Sequence, residues 1–352
     1  MEDTINLNEF KCIIDDQTGK LLKIPFCNYQ RNMTLVRCLL YAKKANKVLI
    51  GTNQGLYICN PETFEKENEL DPASKDGWFY DMINSTDSYF LYERKDGTIL
   101  TSSRYNKIKI YDLFKLECIK EIIIDSKCHN MVCDGAELSN GNLVAGFGEC
   151  IHIYDGKNFE LLKSIKEYKS TVHAICSLKN NKFATASYED SRLIFWKNDS
   201  ENYNKEFFIN EVKICTNNVI TFNEEKNIVI VGFQNNILVI DGDKYNILKK
   251  ITIDKSELSY IRCLLSLKNG SFIAAESNGN IFEYDSKYNL HSQLKNFIGD
   301  YHPLLNSITD ITFCNNCLWV TYNSHSIGVF KKSNEETKVS KYNRYEYDSD
   351  SD

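Results

Sequence analysis

Ile108–Asp112 reads IKIYD, Ile151–Asp155 reads IHIYD, Ile237–Asp241 reads ILVID and Ile281–Asp285 reads IFEYD. A strand-like motif, usually closed by Asp, is therefore repeated along the chain. Four further copies keep its character: FKCIID at Phe10–Asp15, LYICN at Leu56–Asn60, LIFWK at Leu193–Lys197 and IGVFK at Ile327–Lys331. The spacing is roughly 45 residues, and a period of that size with several short strands per unit marks a toroid or array rather than an ordinary core.

Outward from the motif, whole units align. Val36–Asn60 (VRCLLYAKKANKVLIGTNQGLYICN) and Ile261–Asp285 (IRCLLSLKNGSFIAAESNGNIFEYD) both run apolar strand, Lys/Asn/Gly turn, apolar strand, polar turn, alternating strand. Asp96-Gly97, Asn140-Gly141, Asn180-Asn181, Asn269-Gly270 and Asn278-Gly279 stand where hairpins need positive φ or Asx geometry. Runs of Val, Ile, Phe and Tyr between these turns suit strands buried on both faces, and no sustained helical period is present. A more polar fourth strand follows in several units: Leu116–Ile122, Phe159–Ile165, Tyr245–Ile251 and Tyr288–Leu294. Its Lys and Glu suit an outer edge.

Inner strands begin near Val36, Tyr89, Met131, Val172, Val219, Ile261 and Ile308, which predicts an all-β, seven-bladed β-propeller. Phe10–Ile24 has the pattern of the last half of a unit. It is expected to supply at least the outermost strand of the last blade and so close the ring by pairing N- and C-terminal strands. The alternative is an N-terminal hairpin that merely covers an edge. Residues 1–332 form one propeller on this reading, and the acidic tail 333–352 is expected to be disordered.

The chain has 352 residues, 42% of them hydrophobic, and a formal net charge of −6. Such a surface attracts no polyanion as a whole, so neither nucleic acid nor a membrane is expected as a partner. Thirteen cysteines, an odd number with several in mid-strand, read as reduced thiols. The start MEDTINLNEF has neither the basic nor the apolar segment of a secretory signal. The expected compartment is the cytoplasm or the nucleus.

These units resemble the WD40 repeat family in a divergent form. The best is Thr171–Lys197, where Asp190 and Trp196 keep that family's spacing from turn Asp to strand Trp. The Gly-His dipeptide is missing, and Tyr168 falls where its His would be. The Trp-Asp ending becomes Tyr-Asp at 111–112, 154–155 and 284–285, Ile-Asp at 240–241 and Trp-Lys at 196–197. The family's His–Ser–Asp–Trp network is therefore expected to be incomplete, with apolar packing holding the blades. The resemblance implies a seven-bladed ring whose outer-to-inner connections form one binding rim.

Catalytic and metal signatures are thin. Cys314 and Cys317 have the spacing of half a zinc site, without a second CxxC or His pair. The six histidines fall at unmatched positions, and there is no P-loop. Asp112, Asp155, Asp241 and Asp285 repeat as turn formers. No cofactor, metal or catalytic residue is expected.

Partner binding remains. Lys66–Met82 reads as an insertion in the connection after Asn60, and its Trp78, Phe79 and Tyr80 are candidate anchors, unless they pack under the loop. Arg37 and Arg262 occupy the same place in two units, just inside the inner strand. His173 stands one residue after the matching apolar position of the fourth unit. Together these three could meet an acidic segment, or they could serve ordinary in-blade salt bridges. Ser349 and Ser351, flanked by Asp, are candidate phosphorylation sites. The expected function is a non-catalytic scaffold, monomeric by itself within a complex, that displays rim loops to other proteins. The alternatives are a propeller enzyme with a central-channel site and the substrate-recognition arm of a ubiquitin ligase.

Overall fold

The computed structural model describes residues 5–14, 36–53, 55–70, 89–103, 106–124, 132–187, 189–199, 202–214, 218–253, 259–294, 307–322 and 327–332. They form seven four-stranded antiparallel sheets, the blades of a β-propeller. The innermost strands, blades 1 to 7 in turn, are Val36–Ala42, Leu91–Glu93, Val132–Glu137, Val172–Ser177, Ile220–Asn223, Ile261–Ser266 and Ile308–Cys314. Each packs on the next, and the seventh packs on the first, so the ring is closed.

Closure is made as the sequence predicts. Phe10–Ile14 pairs antiparallel with Ile327–Lys332 and is the outermost strand of blade 7, with Phe10 opposite Lys332 and Cys12 opposite Phe330. Residues 15–24 lie outside the described residues. Just upstream, Ile5 and Leu7 are buried, and Leu7–Glu9 form a short 3-10 turn beside Leu290–Leu294, the outer strand of blade 6. The Ile5 N–H donates to Glu283 Oε1 at 2.6 Å and the Leu7 N–H donates to Ser292 Oγ at 2.8 Å.

A matched set of small residues lets the blades approach. The second strands place Gly51, Ser102, Gly146, Ala186, Gly232, Ala275 and Thr321 at one register, opposite the first residue of each repeated motif. A Cβ on Gly146 would come within 3.0 Å of Val172 in the next blade, and one on Gly232 within 2.4 Å of Ile261 Cγ2. An apolar knob at the start of each of those inner strands thus fills a notch in the preceding blade. The core is accordingly a series of seams. One cluster joins Phe195 of blade 4, Val231 of blade 5 and Phe272 of blade 6.

Turn chemistry follows the sequence. Gly97, Gly141, Asn180, Asn181, Asn269, Gly270 and Gly279 all have positive φ, as do Asn315 and Asn316. In the outer hairpins, the side chains of Asn60, Asp112, Asp155, Asp241 and Asp285 each accept two backbone N–H groups of the following turn. These are the turn formers the repeat implies. A left-handed residue follows each of them, and it is bulky: Phe64, Leu116, Phe159, Tyr245 and Tyr288. Several reach back onto the preceding blade. Phe64 meets Trp319 of blade 7, Tyr245 lies 4.4 Å from Phe195 of blade 4, and Arg94 of blade 2 caps the Phe159 ring.

One expectation changes, and the expected incompleteness of the polar network can be seen in detail. Lys66–Leu70 is not inserted sequence: it is the outer strand of blade 1, with Leu56 opposite Leu70 and Lys47 paired to Glu67 at 2.6 Å. Its charges disguise it because only Leu70 of its five residues is buried. In blade 4, part of the polar network is present with a substitute. Trp196 Nε1 donates to Thr185 Oγ1 at 2.7 Å, and Tyr168 Oη meets the same Thr185 at 2.8 Å, where the resemblance implies His. Asp190 works separately and accepts the N–H groups of Lys169 and Ser170.

Candidate functional site

The site grows from one irregularity repeated in five blades. Each innermost strand bulges at the same point: between Val36 and Cys38, Val132 and Asp134, Val172 and Ala174, Ile261 and Cys263, and Ile308 and Asp310. A bulge re-aims the side chain it carries. The bulged residues are Arg37, Cys133, His173, Arg262 and Thr309; running the inner-strand registers of blades 2 and 5 two residues back puts Tyr89 and Asn218 at the corresponding place. Arg37, His173 and Arg262, singled out from the sequence, therefore share one ring of positions. It lies at the end of the inner strands where the outer-to-inner connections enter, which is the mouth of the ring.

Two of them reach the next blade. The Arg37 guanidinium lies 5.1 Å from the centre of the Tyr89 ring. Arg262 Nε donates to the Ile308 carbonyl at 3.1 Å, and its Nη1 lies 3.3 Å from the Tyr260 hydroxyl. Arg262 is thus an inter-blade tie. His173 is half-buried; burial pulls its pKa down, against the opposing charge of Glu189.

One residue deeper, the ring reads Cys38, Phe90, Asp134, Ala174, Val219, Cys263 and Asp310. The two carboxylates use one pattern. Asp134 accepts the Gly135 N–H at 2.8 Å and, from blade 4, the Ile175 N–H at 2.7 Å. Asp310 accepts the Ile311 N–H at 2.8 Å and, from blade 1, the Leu39 N–H at 2.7 Å. Between blades 5 and 6 the equivalent N–H, that of Leu264, donates to the Asn218 carbonyl at 2.8 Å instead. Asn218 Nδ2 also reaches Asp310 Oδ2 at 2.8 Å, although a whole blade separates them. This bond joins blades 5 and 7, which are not neighbours in the ring.

Burial drives both carboxyl pKa values up to about 7. The backbone donors oppose the shift in each. The charge of Asp310 adds to it at Asp134, and Asn218 and Arg262 moderate it at Asp310. Sequence reading missed both residues. Their signal was an Asp at the third place of two inner strands that open on an apolar residue, VCDGAE and ITDITF, where a one-residue bulge hides the phase.

Trp78, Phe79, Tyr80, Ser349 and Ser351 lie outside the described residues. Cys314 and Cys317 are cross-strand partners on either side of the Asn315–Asn316 turn, both buried, and burial pushes the Cys314 thiol up to about 12. Among the described residues no group of three or more His, Cys, Asp or Glu could hold a metal ion, and no helix is long and apolar enough to cross a membrane. Comparison of the chain with models of known protein families and with curated proteins gives no match.

Proposed function

We propose that this propeller is a non-catalytic platform, built from divergent WD40-like repeats, that binds other proteins at its mouth through an acidic segment. The observation that carries this is the shared register of Arg37, His173 and Arg262 on three blades, each re-aimed by a bulge. Seven inner strands hold such groups at fixed spacing, so a partner docks without an ordering cost to the scaffold. On the opposite rim, lysines are engaged between blades: Lys95 Nζ donates to Ser139 O at 2.7 Å and Lys179 Nζ to Glu224 O at 2.6 Å.

A channel enzyme is the competing reading, and Asp134 with Asp310 is what favours it. Both carboxylates are already committed to backbone N–H groups of the next blade, and the other five positions of their ring are apolar or thiol. The platform reading therefore accounts for more of the lumen. A test is affinity capture with the intact chain, with R37E/R262E, and with Trp78, Phe79 and Tyr80 changed to Ala. Loss of a stoichiometric partner in the arginine variant alone, in protein that still unfolds cooperatively, supports the mouth. Loss only in the aromatic variant moves the site to the rim loop. Retention in both overturns the reading.

A further inference from the structure

The third residue of the repeated motif is apolar and buried in blades 1 to 5 and in blade 7: Ile58, Ile110, Ile153, Phe195, Val239 and Val329. In blade 6 it is Glu283, equally buried, and the residue opposite it on the outer strand Leu290–Leu294 is Ser292. A carboxylate set into an apolar position is costly unless donors reach it. Here the start of the chain supplies them. Glu283 Oε1 accepts the Ile5 N–H at 2.6 Å, the Ser292 hydroxyl donates to Glu283 Oε2, and Ser292 Oγ accepts the Leu7 N–H at 2.8 Å. Burial pushes the Glu283 pKa up, and the Ser292 hydroxyl and the Ile5 N–H pull against that rise. The side chains of Ile5 and Leu7 join the apolar cluster that spans blades 6 and 7, with Ile281 and Phe330, while Asn8 and Glu9 are exposed.

Two features separate this arrangement from simple edge cover. Leu161 and Leu162 on the outer strand of blade 3, and Ile247 and Leu248 on that of blade 5, are half-exposed, so the fold tolerates a bare outer strand. The recognition is also of main chain. N–H groups of alternate residues meet a fixed pair of acceptors and alternate side chains fill an apolar seam, which is the division of labour by which extended peptides add to a sheet edge. We propose that Glu283, Ser292 and the seam beside them form a peptide-binding site for an extended segment of a partner with apolar residues at alternate positions, and that Ile5–Leu7 holds this site in cis. The pairing of Phe10–Ile14 with blade 7 uses none of these contacts, so the resident segment can leave without opening the ring. The site lies on the circumference, apart from the mouth, and stands or falls independently of the acidic-partner reading.

The probe is a labelled, acetylated peptide with the sequence of Ile5–Glu9, INLNE. The receptor is the full chain carrying I5D and L7D, whose new carboxylates beside Glu283 expel the resident segment. This opened chain should bind the peptide at least about tenfold more tightly than the wild type, where the tethered segment competes at a high effective concentration. Adding E283L, which restores the apolar character of the other blades, should abolish binding to the opened chain. N-methylation of the peptide's Ile nitrogen should do the same, because it removes the donor and keeps the side chain. No binding to the opened chain, or equal binding by the opened chain and the wild type, overturns the site. Binding that survives E283L or N-methylation overturns recognition through the main chain. If the I5D/L7D chain does not fold, the wild type decides. Excess peptide carrying a photoreactive leucine should cross-link to Ile281–Tyr284 or Leu290–Leu294, and cross-links only elsewhere, or none, overturn the proposal.

Discussion

Tyr168 shows how a side chain of different chemistry can fill a structural role. Its hydroxyl reaches both the carbonyl and the Oγ1 of Thr185, and Trp196 Nε1 donates to the same Oγ1. One buried threonine thus ties the segment before the inner strand to the third strand of blade 4. Tyr168→Phe should cost about 1 kcal/mol, the worth of a neutral hydrogen bond, read from urea unfolding. Trp196→Phe should cost a similar amount plus lost packing, and the double variant should cost less than the sum, because both bonds end on Thr185. Additive costs would mean the three do not act as a unit. At this scale the sequence was legible where an apolar neighbour fixed the phase. Arg37, His173 and Arg262 could be aligned because Val36, Val172 and Ile261 precede them. Asp134 and Asp310 could not, since an Asp reads as turn or surface until burial and a cross-blade N–H reveal its role.

The elements are held together by two devices, and each has its own test. The first is the notch and knob. Gly232→Ala sets a Cβ within 2.4 Å of Ile261 Cγ2, so it should destabilise by about 1–3 kcal/mol, as overpacking does. Combined with Ile261→Ala, which removes the clashing atom, it should cost less than it does alone; strict additivity would place the strain elsewhere. The second is the bulky left-handed residue of the outer hairpins. Left-handed backbone costs an ordinary residue about 1 kcal/mol, which Tyr245 recovers by stacking on Phe207 and packing on Phe195. Leu116, at φ 56° and 41% exposed, recovers little. Leu116→Gly should therefore be neutral or stabilising by up to about 1 kcal/mol, whereas Tyr245→Gly should lose about 3 kcal/mol. A matching loss at both sites would show that the turn, not the packing, sets the energy. Alternation and Asn/Gly turns made the strands and hairpins readable. Lys66–Leu70 escaped because an outer strand buries so little that its pattern carries almost no apolar signal.

At the scale of the molecule, the ring makes every blade a neighbour of two others, and the pairing of Phe10–Ile14 with Ile327–Lys332 builds an N-terminal strand into the last blade. The sequence disclosed this join because a half-unit stood at its start, but it did not disclose that Ile5 and Leu7 continue onto blade 6. That extension depends on Glu283 and Ser292, polar residues whose value lies only in what covers them. If this pairing is severed, blade 7 loses its outermost strand and its tether to the segment leading into blade 1, and the seam between blades 7 and 1 rests on the contacts of the remaining strands, Leu39 with Asp310 among them. Phe10→Asp does this with one change, by placing a carboxylate where a side chain only 5% exposed packs against Phe313. The cost should be on the order of 3 kcal/mol or more. The loss should not be uniform. Amide hydrogen exchange should quicken most in Ile327–Lys332 and in Val36–Ala42, the strands on either side of the seam, and least in Val172–Ser177 of blade 4, across the ring from it. Equal acceleration everywhere would mean that the blades unfold as one body and that closure stabilises the whole ring, not its seam. Unchanged exchange beside the seam would mean that the N-terminal strand only covers an edge already stable without it.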